Sequence, residues 1–344
     1  EICNFSVWAH APYVGSAAFA HKGGLHASAI ARFPQAYEHV PPGTVGNRAS
    51  TLVSGLAGKA SLVAKASALG IDLSCIRPTL LERDADGQVF SVPVYTTTYG
   101  MMVNEDIFAR EKLAVPTTYE ELLSACEALK QAGYQNPILA CSKGTGDLLY
   151  PLFYPHFCGQ IQGDEAALTA INGMTPEAGV HMRATLALVA DFMGRGYLDL
   201  AACDEIKDNY DAVILRFFEG DIPMMLATGN TVSGTEKREA KSEAFTAHPF
   251  AYSFHPVPST AEGGYFVNAI SMGFGVNKNS PNLQMANEFM RFLVSTEELN
   301  LMAKAKRMVT PCADMSLDAV YAPFQKLDGK RFINLSELGL SDAA

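Results

Sequence analysis

The feature that most constrains the fold is the stretch Val89–Leu113, in which a strand pattern runs directly into a helix start. β-branched and aromatic residues dominate Val89–Tyr99, and such residues are enriched in strands. Asn104 is then a typical N-cap residue, and Glu105 and Asp106 follow it in the first helical turn, where negative charge is favourable. This order predicts a strand that passes straight into a helix.

The same stretch resembles the extracellular solute-binding proteins of family 1, the sugar receptors of ABC importers. The residues that carry the resemblance are Gly87, Phe90, Ser91, Val92, Pro93, Tyr99, Gly100, Asn104, Asp106, Ile107 and Phe108. Two further motifs of that family follow in order, FFEGDIPMMLATG at 217–229 and FGVNKNSPN at 274–282. The resemblance covers about residues 87–344. It implies an α/β fold of the periplasmic-binding-protein-like type II, with solute held in a cleft between two lobes.

In that family a whole half-lobe precedes this passage, whereas here the passage begins at position 87. The resemblance therefore implies a fold truncated in its first lobe, with a remnant of that lobe at about 270–312 and the second lobe in the rest of 87–344. Periodicity and cap residues predict helices and strands along it. The predicted helices are 119–132, 147–157, 176–196, 211–218 and 283–294, the predicted strands are 136–140, 249–258 and 263–276, and the charged stretch 237–243 is predicted to be a solvated helix.

Residues 1–76 differ in character from the rest, since they are net basic while the whole chain has a formal net charge of −10. The runs PYVG, AFAHKGGLH, YEHVPPGTVGNR and LVSGLAGKA resemble citramalate synthase, of the 2-isopropylmalate synthase family. The resemblance implies a small helical and loop-rich subdomain that places His26 and Tyr37 near an active site. From chemistry alone, a polar subdomain with solvated histidines is the favoured interpretation. The catalytic barrel and any His-x-His metal motif are missing, so no synthase activity is expected.

Candidate ligand-binding residues lie in the second piece. Aromatic rings stack on the C–H faces of sugars, while Asp, Asn and Ser side chains hydrogen-bond sugar hydroxyl groups. Core packing is the alternative role for any single tyrosine. The predicted ligand-binding residues are Tyr95, Tyr99, Asp147, Tyr154, Asn230 and Ser271.

Several classes of function are not expected. The acidic charge argues against nucleic acid as a partner, and no apolar run is long enough for a membrane span. Seven scattered cysteines predict buried free thiols rather than a disulfide framework. No metal or cofactor is expected. The N-terminus starts with Glu1 and lacks the pattern of a signal peptide, which suggests a fragment or processed chain.

The leading hypothesis is therefore a carbohydrate receptor of an ABC importer, not an enzyme, with a sugar and the importer's membrane subunits as partners and with binding impaired by truncation. Its relatives are extracytoplasmic, while this chain without a signal peptide would be cytoplasmic if expressed as written. The alternative is an inactive fragment of citramalate or 2-isopropylmalate synthase. Residues 77–86 are predicted to be the join between the two pieces, either natural or artificial.

Overall fold

The structure is a computed structural model that describes residues 8–9, 11–15, 17–21, 33, 38, 40–47, 50–51, 72–83, 89–140, 150–198, 210–313, 317–327 and 329–340. The chain divides into two compact units. Unit 1 comprises Glu1–Val92 and Gly273–Glu298, and unit 2 comprises Pro93–Met272 and Leu299–Ala344. The division into 1–76, 77–86 and 87–344 made from the sequence stays a prediction.

The described strands form three sheets. Their bounds are β1 Ala20–His21, β2 Ser50–Thr51, β3 Glu82–Arg83, β4 Val89–Thr97, β5 Tyr99–Asn104, β6 Ile138–Ala140, β7 Met224–Thr228, β8 Tyr252–His255, β9 Phe266–Phe274 and β10 Phe332–Asn334. One sheet has the order β6-β7-β5-β8, with β6 parallel to β7 and antiparallel pairing elsewhere. A second has the order β10-β9-β4-β3, and β1 pairs with β2. Mixed sheets with helices between the strands confirm the α/β class.

The described α-helices mostly begin where the sequence offers a cap. Their bounds are α1 Glu105–Arg110, α2 Tyr119–Gln131, α3 Tyr150–Ile161, α4 Glu165–Asn172, α5 Gly179–Gly194, α6 Tyr210–Phe217, α7 Gly229–Val232, α8 Thr235–Glu239, α9 Glu243–Ala247, α10 Leu283–Leu293 and α11 Thr296–Ala305. Asn104 accepts from the Ile107 amide at 3.1 Å, and Thr118 with Glu121 forms a full capping box on α2. Short 3-10 turns complete the connections, the longest being Ala319–Lys326.

The core of unit 2 lies on the β6-β7-β5-β8 sheet. Met101 and Met102 of β5 and Met224 and Met225 of β7 are fully buried there, and helices α2, α5 and α6 cover them with Leu, Val and Phe side chains. Phe218 is the centre of an aromatic group, since its ring centroid lies 5.2 Å from that of Phe245, 5.4 Å from Tyr252 and 6.1 Å from Phe250. Removing these apolar and aromatic side chains from water is what stabilises unit 2.

The described part of unit 1 combines buried and exposed apolar side chains. Its buried apolar side chains include Ile76, Leu80 and Met290, and the Cys75 thiol donates to the Val294 carbonyl at 3.7 Å. Helix α10 leaves large apolar side chains in solvent along one side, at i, i+4 and i+7. These are Met285, 73% exposed, Phe289, 54% exposed, and Phe292, 58% exposed.

Most predicted helices and strands have bounds close to the observed ones, but the following differ. The predicted strand from 249 to 258 shrinks to Tyr252–His255, because the flanking prolines lack the amide that a ladder needs. The predicted helix 176–196 opens instead with a 3-10 turn at Pro176–Ala178. The prediction that 237–243 is solvated is wrong for Arg238, whose side chain is 12% exposed because it pairs with Asp211.

Candidate ligand-binding site

Three tyrosines of unit 2 form one cluster, which we call the tyrosine cluster: Tyr99, Tyr150 and Tyr154. Tyr99 is the first residue of β5, and the other two lie one helical turn apart on α3. The ring centroids of Tyr99 and Tyr154 are 5.1 Å apart, and those of Tyr150 and Tyr154 are 6.1 Å apart. Tyr150 is 47% exposed, so the cluster opens to solvent at that end.

Burial affects the ionisation of two of these phenols, Tyr99 and Tyr154. It raises the pKa of Tyr99 to about 12 and also raises the pKa of Tyr154 well above its ordinary value. Cys158, one turn after Tyr154, is fully buried beside both rings, and burial raises its thiol pKa to about 12. At neutral pH each of these tyrosines therefore offers a ring face and an uncharged hydroxyl group that can donate a hydrogen bond.

A polar pair lies on neighbouring elements of the same unit. The Ser271 hydroxyl on β9 donates to Asn230 Oδ1 on α7 at 2.7 Å. Because this bond occupies the amide oxygen, the Nδ2 group of Asn230 is left to donate to a ligand. The Gly229 amide donates to the carbonyl of Thr98 at 2.8 Å, which fixes the start of α7 beside the residue that precedes Tyr99.

Gly229 lies at a close contact between elements that was not predicted from the sequence. A Cβ at this position would lie 2.7 Å from Thr97 Oγ1 and 2.9 Å from the Tyr321 hydroxyl oxygen, so only glycine lets α7 approach so closely. The signal available in the sequence was a glycine at the boundary between the strand β7 and the helix after it.

The structure thus brings Tyr99 together with Tyr154, and Asn230 together with Ser271. Tyr95 lies half-buried on β4, four positions before Tyr99. Asp147 lies outside the described residues, as do His26 and Tyr37. The role of every one of these residues in binding stays a prediction.

A separate groove of about 630 Å³ lies between β8 and the 3-10 turn Ala319–Lys326, and none of the predicted ligand-binding residues lines it. Within the described part of the chain, no cluster of three or more His, Cys, Asp or Glu side chains is arranged to hold a metal ion. Nor does any helix among the described residues have the length and apolar character to cross a bilayer. Among the described cysteines, Cys126 and Cys158 are buried free thiols, as predicted, and Cys312 is buried too, whereas Cys75 is only partly buried.

Solved structures share this architecture. A sugar transporter protein from Bacillus licheniformis in complex with stachyose matches with a TM-score of 0.56 and 14% identity, over 92% of this chain and 88% of that chain. A binding protein of an ABC transporter from Bifidobacterium animalis subsp. lactis in complex with mannobiose has a TM-score of 0.56 and 15% identity, over 92% of this chain and 79% of that chain. At such identities the likeness establishes the fold.

This fold defines the class of periplasmic-type solute-binding proteins. More specifically, the chain belongs to the family of bacterial extracellular solute-binding proteins, whose model matches residues 45–326. The family consists of receptors rather than enzymes, which agrees with the prediction from the sequence. The resemblance to this family is thereby confirmed, and the matched residues begin at 45, earlier than the boundary at 87 expected from the sequence.

The second resemblance is also confirmed as a local match. The (R)-citramalate synthase of Geobacter sulfurreducens is 48% identical over 82 residues, which is 24% of this chain and 16% of that protein. That of Streptomyces coelicolor is 53% identical over 73 residues. This chain therefore spans 14–16% of the length of these curated relatives.

Proposed function

We propose that the chain is a carbohydrate receptor of an ABC importer, and that the tyrosine cluster contacts the sugar. The observation that carries this proposal is the joint presence, on unit 2 of a solute-binding protein, of neighbouring tyrosine rings and the Asn230–Ser271 pair. Sugar complexes among proteins of the same fold support it. We also propose Tyr95 and Asp147 as ligand contacts.

The chemistry of these groups suits a neutral sugar. Ring faces of Tyr99 and Tyr154 would pack on the C–H face of a pyranose, and the phenol hydroxyls would donate to its ring or hydroxyl oxygens. Asn230, with its amide oxygen already held by Ser271, would donate through Nδ2 to a sugar hydroxyl group. The proposed partners are a small sugar and the membrane subunits of the importer, and the proposed place of action is outside the cytoplasm, as for the family.

We further propose that the chain binds sugar weakly, because the apolar side of α10 is left uncovered. Phe289 and Phe292 are each more than half exposed, whereas in an α/β lobe such a face is buried against a sheet. A receptor that cannot enclose its ligand loses affinity, because water keeps competing for the same hydrogen bonds.

Calorimetry with stachyose and mannobiose tests the proposal. We expect saturable binding with a dissociation constant weaker than micromolar, and we expect Tyr154→Ala to weaken it at least about fivefold, through a lost contact worth about 1 kcal/mol. Tyr134→Ala, which changes a tyrosine outside the cluster in the same unit, is the matched control and should bind like the unsubstituted chain. No binding at saturating sugar would contradict the proposed function, whereas micromolar affinity would overturn only the proposal that binding is weak.

The local match to (R)-citramalate synthase raises a second candidate function, which we propose this chain lacks. Condensation of acetyl-CoA with a keto acid requires a metal to polarise the keto acid, and no His-x-His triplet occurs in the sequence. We therefore expect no release of free CoA from acetyl-CoA and pyruvate in a thiol-reagent assay with added Mg²⁺ or Mn²⁺. Release that depends on both the cation and the keto acid would contradict this.

A further inference from the structure

Gly159 lies on α3, five positions after Tyr154, and the ring of Tyr265 rests directly on it. A Cβ added at Gly159 would lie 2.3, 2.5 and 2.6 Å from three carbon atoms of that ring, far inside van der Waals contact. Since even an alanine methyl group does not fit, the glycine sets how closely α3 approaches Tyr265.

Tyr265 also contacts a cationic side chain. The guanidinium carbon of Arg331 lies 5.2 Å from the centroid of the Tyr265 ring. Arg331 Nη1 also donates to the Gly264 carbonyl at 3.3 Å, and its Nη2 lies 3.5 Å from a carboxylate oxygen of Glu262. Arg331 therefore links the ring to the turn preceding β9, which restrains how far the ring can move away from a larger residue at 159.

This contact shares a packed cluster with the candidate site. Tyr265, Tyr99 and Tyr154 all pack on the group of buried side chains that contains Cys158 and Val267. Close-packed interiors transmit small displacements, because the neighbouring side chains have no free volume to absorb them. Gly159 and Tyr154 lie on nearly opposite sides of α3, so a shift of α3 away from Tyr265 would change the contact between Tyr154 and Tyr99.

We propose that Gly159 and Tyr265 are positioning residues for ligand binding. Their contact sets how closely α3 approaches Tyr265, and so places the ring of Tyr154 beside Tyr99. This inference rests on the proposed function, because it assigns the tyrosine cluster to the sugar. Neither Gly159 nor Tyr265 is proposed to touch the ligand. Both act only through the position of α3.

Affinity measured by calorimetry with stachyose gives the first test. Gly159→Ala is expected to weaken binding about tenfold, and the double variant Gly159→Ala with Tyr265→Leu, which removes the ring that the methyl group would meet, is expected to recover most of the loss. Gly194→Ala is the matched control, because a Cβ at that position of α5 meets nothing within 4 Å, and it should bind normally. An unchanged affinity in Gly159→Ala, or a double variant no better than the single one, would overturn the proposal.

A ligand-free measurement separates this proposal from the proposed function. With 3-fluorotyrosine incorporated throughout, and resonances assigned by Tyr99→Phe and Tyr154→Phe, the ¹⁹F signals of Tyr99 and Tyr154 should move in Gly159→Ala and return in the double variant. If the signals behave in this way but no variant binds sugar, only the proposed function fails. If the unsubstituted chain binds sugar while Gly159→Ala changes neither signals nor affinity, only the positioning role fails. If Gly159→Ala does not fold, Tyr265→Leu alone is tested instead. The ¹⁹F signals of Tyr99 and Tyr154 should then move in Tyr265→Leu, and unchanged signals would contradict the proposal.

Discussion

Replacing Phe218 with alanine is expected to destabilise unit 2 by about 3–5 kcal/mol, the cost of deleting a large aromatic side chain from a packed core. The Phe218 side chain is fully buried, and its ring lies within 5.6 Å of the ring centroids of Phe217, Phe245 and Tyr252. The cavity cannot collapse easily, because those rings hold one another in edge-to-face geometry. Since small domains are stable by only about 5–15 kcal/mol, this is a large share of the total.

Urea unfolding followed by circular dichroism measures the effect. Leu186→Ala is the control in the same unit, because Leu186 is 53% exposed on α5, and it should change the free energy of unfolding by less than about 0.5 kcal/mol. A loss below about 1 kcal/mol in Phe218→Ala would show that the aromatic group is not the centre of the core.

Mild acid is expected to destabilise unit 2 through His255. Burial on β8 lowers the pKa of this histidine from 6.5 to about 4, while the Glu105 carboxylate opposes the shift and the Lys326 ammonium adds to it. The unfolded chain thus binds a proton that the folded chain excludes between these two values. The stability is fully present above pH 6.5 and falls as the pH drops towards 4, by a total of about 3 kcal/mol.

His255→Gln should flatten this dependence, because glutamine does not titrate and can still reach the Ser253 hydroxyl, which lies 2.7 Å from His255 Nε2. His248→Gln, which replaces an exposed histidine, should retain the full slope. Some slope will remain in His255→Gln, since burial also lowers the pKa of His156. Denaturant midpoints of the unsubstituted chain, His255→Gln and His248→Gln, measured between pH 4 and 7, test this. If the midpoint depends on pH equally in all three proteins, His255 is protonated in the folded state.

Features set by neighbours in the chain could be predicted from the sequence. The cap at Asn104 and the start of α2 at Tyr119 each depend on only three or four consecutive residues, so these two helix starts were placed to within a residue. The family motifs extended this to the fold itself, because Tyr99, Gly100 and Asn104 occur at the spacing that the family uses.

Features set by distant residues could not be predicted. The pairing of Arg238 with Asp211 joins two helices, and nothing in the local charge pattern of 237–243 indicates a buried partner. In the same way, the candidate site depends on α3 lying beside β5, so Tyr99 and Tyr154 could be named separately but not placed in contact. The contact between Gly159 and Tyr265 could not be predicted for the same reason. A single glycine inside a helix usually indicates a lower helix propensity and does not indicate which side chain packs on it.

The long-range pairing of unit 2 also has a consequence for how fast the unit can form. Thr96 and Val309, 213 positions apart, exchange backbone hydrogen bonds, and β10 pairs with β9 only near the end of the chain. Folding slows as contacts become more distant along the sequence, because the entropy of closing each long loop is lost before the contact forms. During synthesis, β4 therefore stays without its Val309 partner until more than two hundred further residues have been added. The sheet that contains β4 can therefore be completed only after most of the chain has been synthesised, so the last step in the folding of unit 2 is expected to be post-translational.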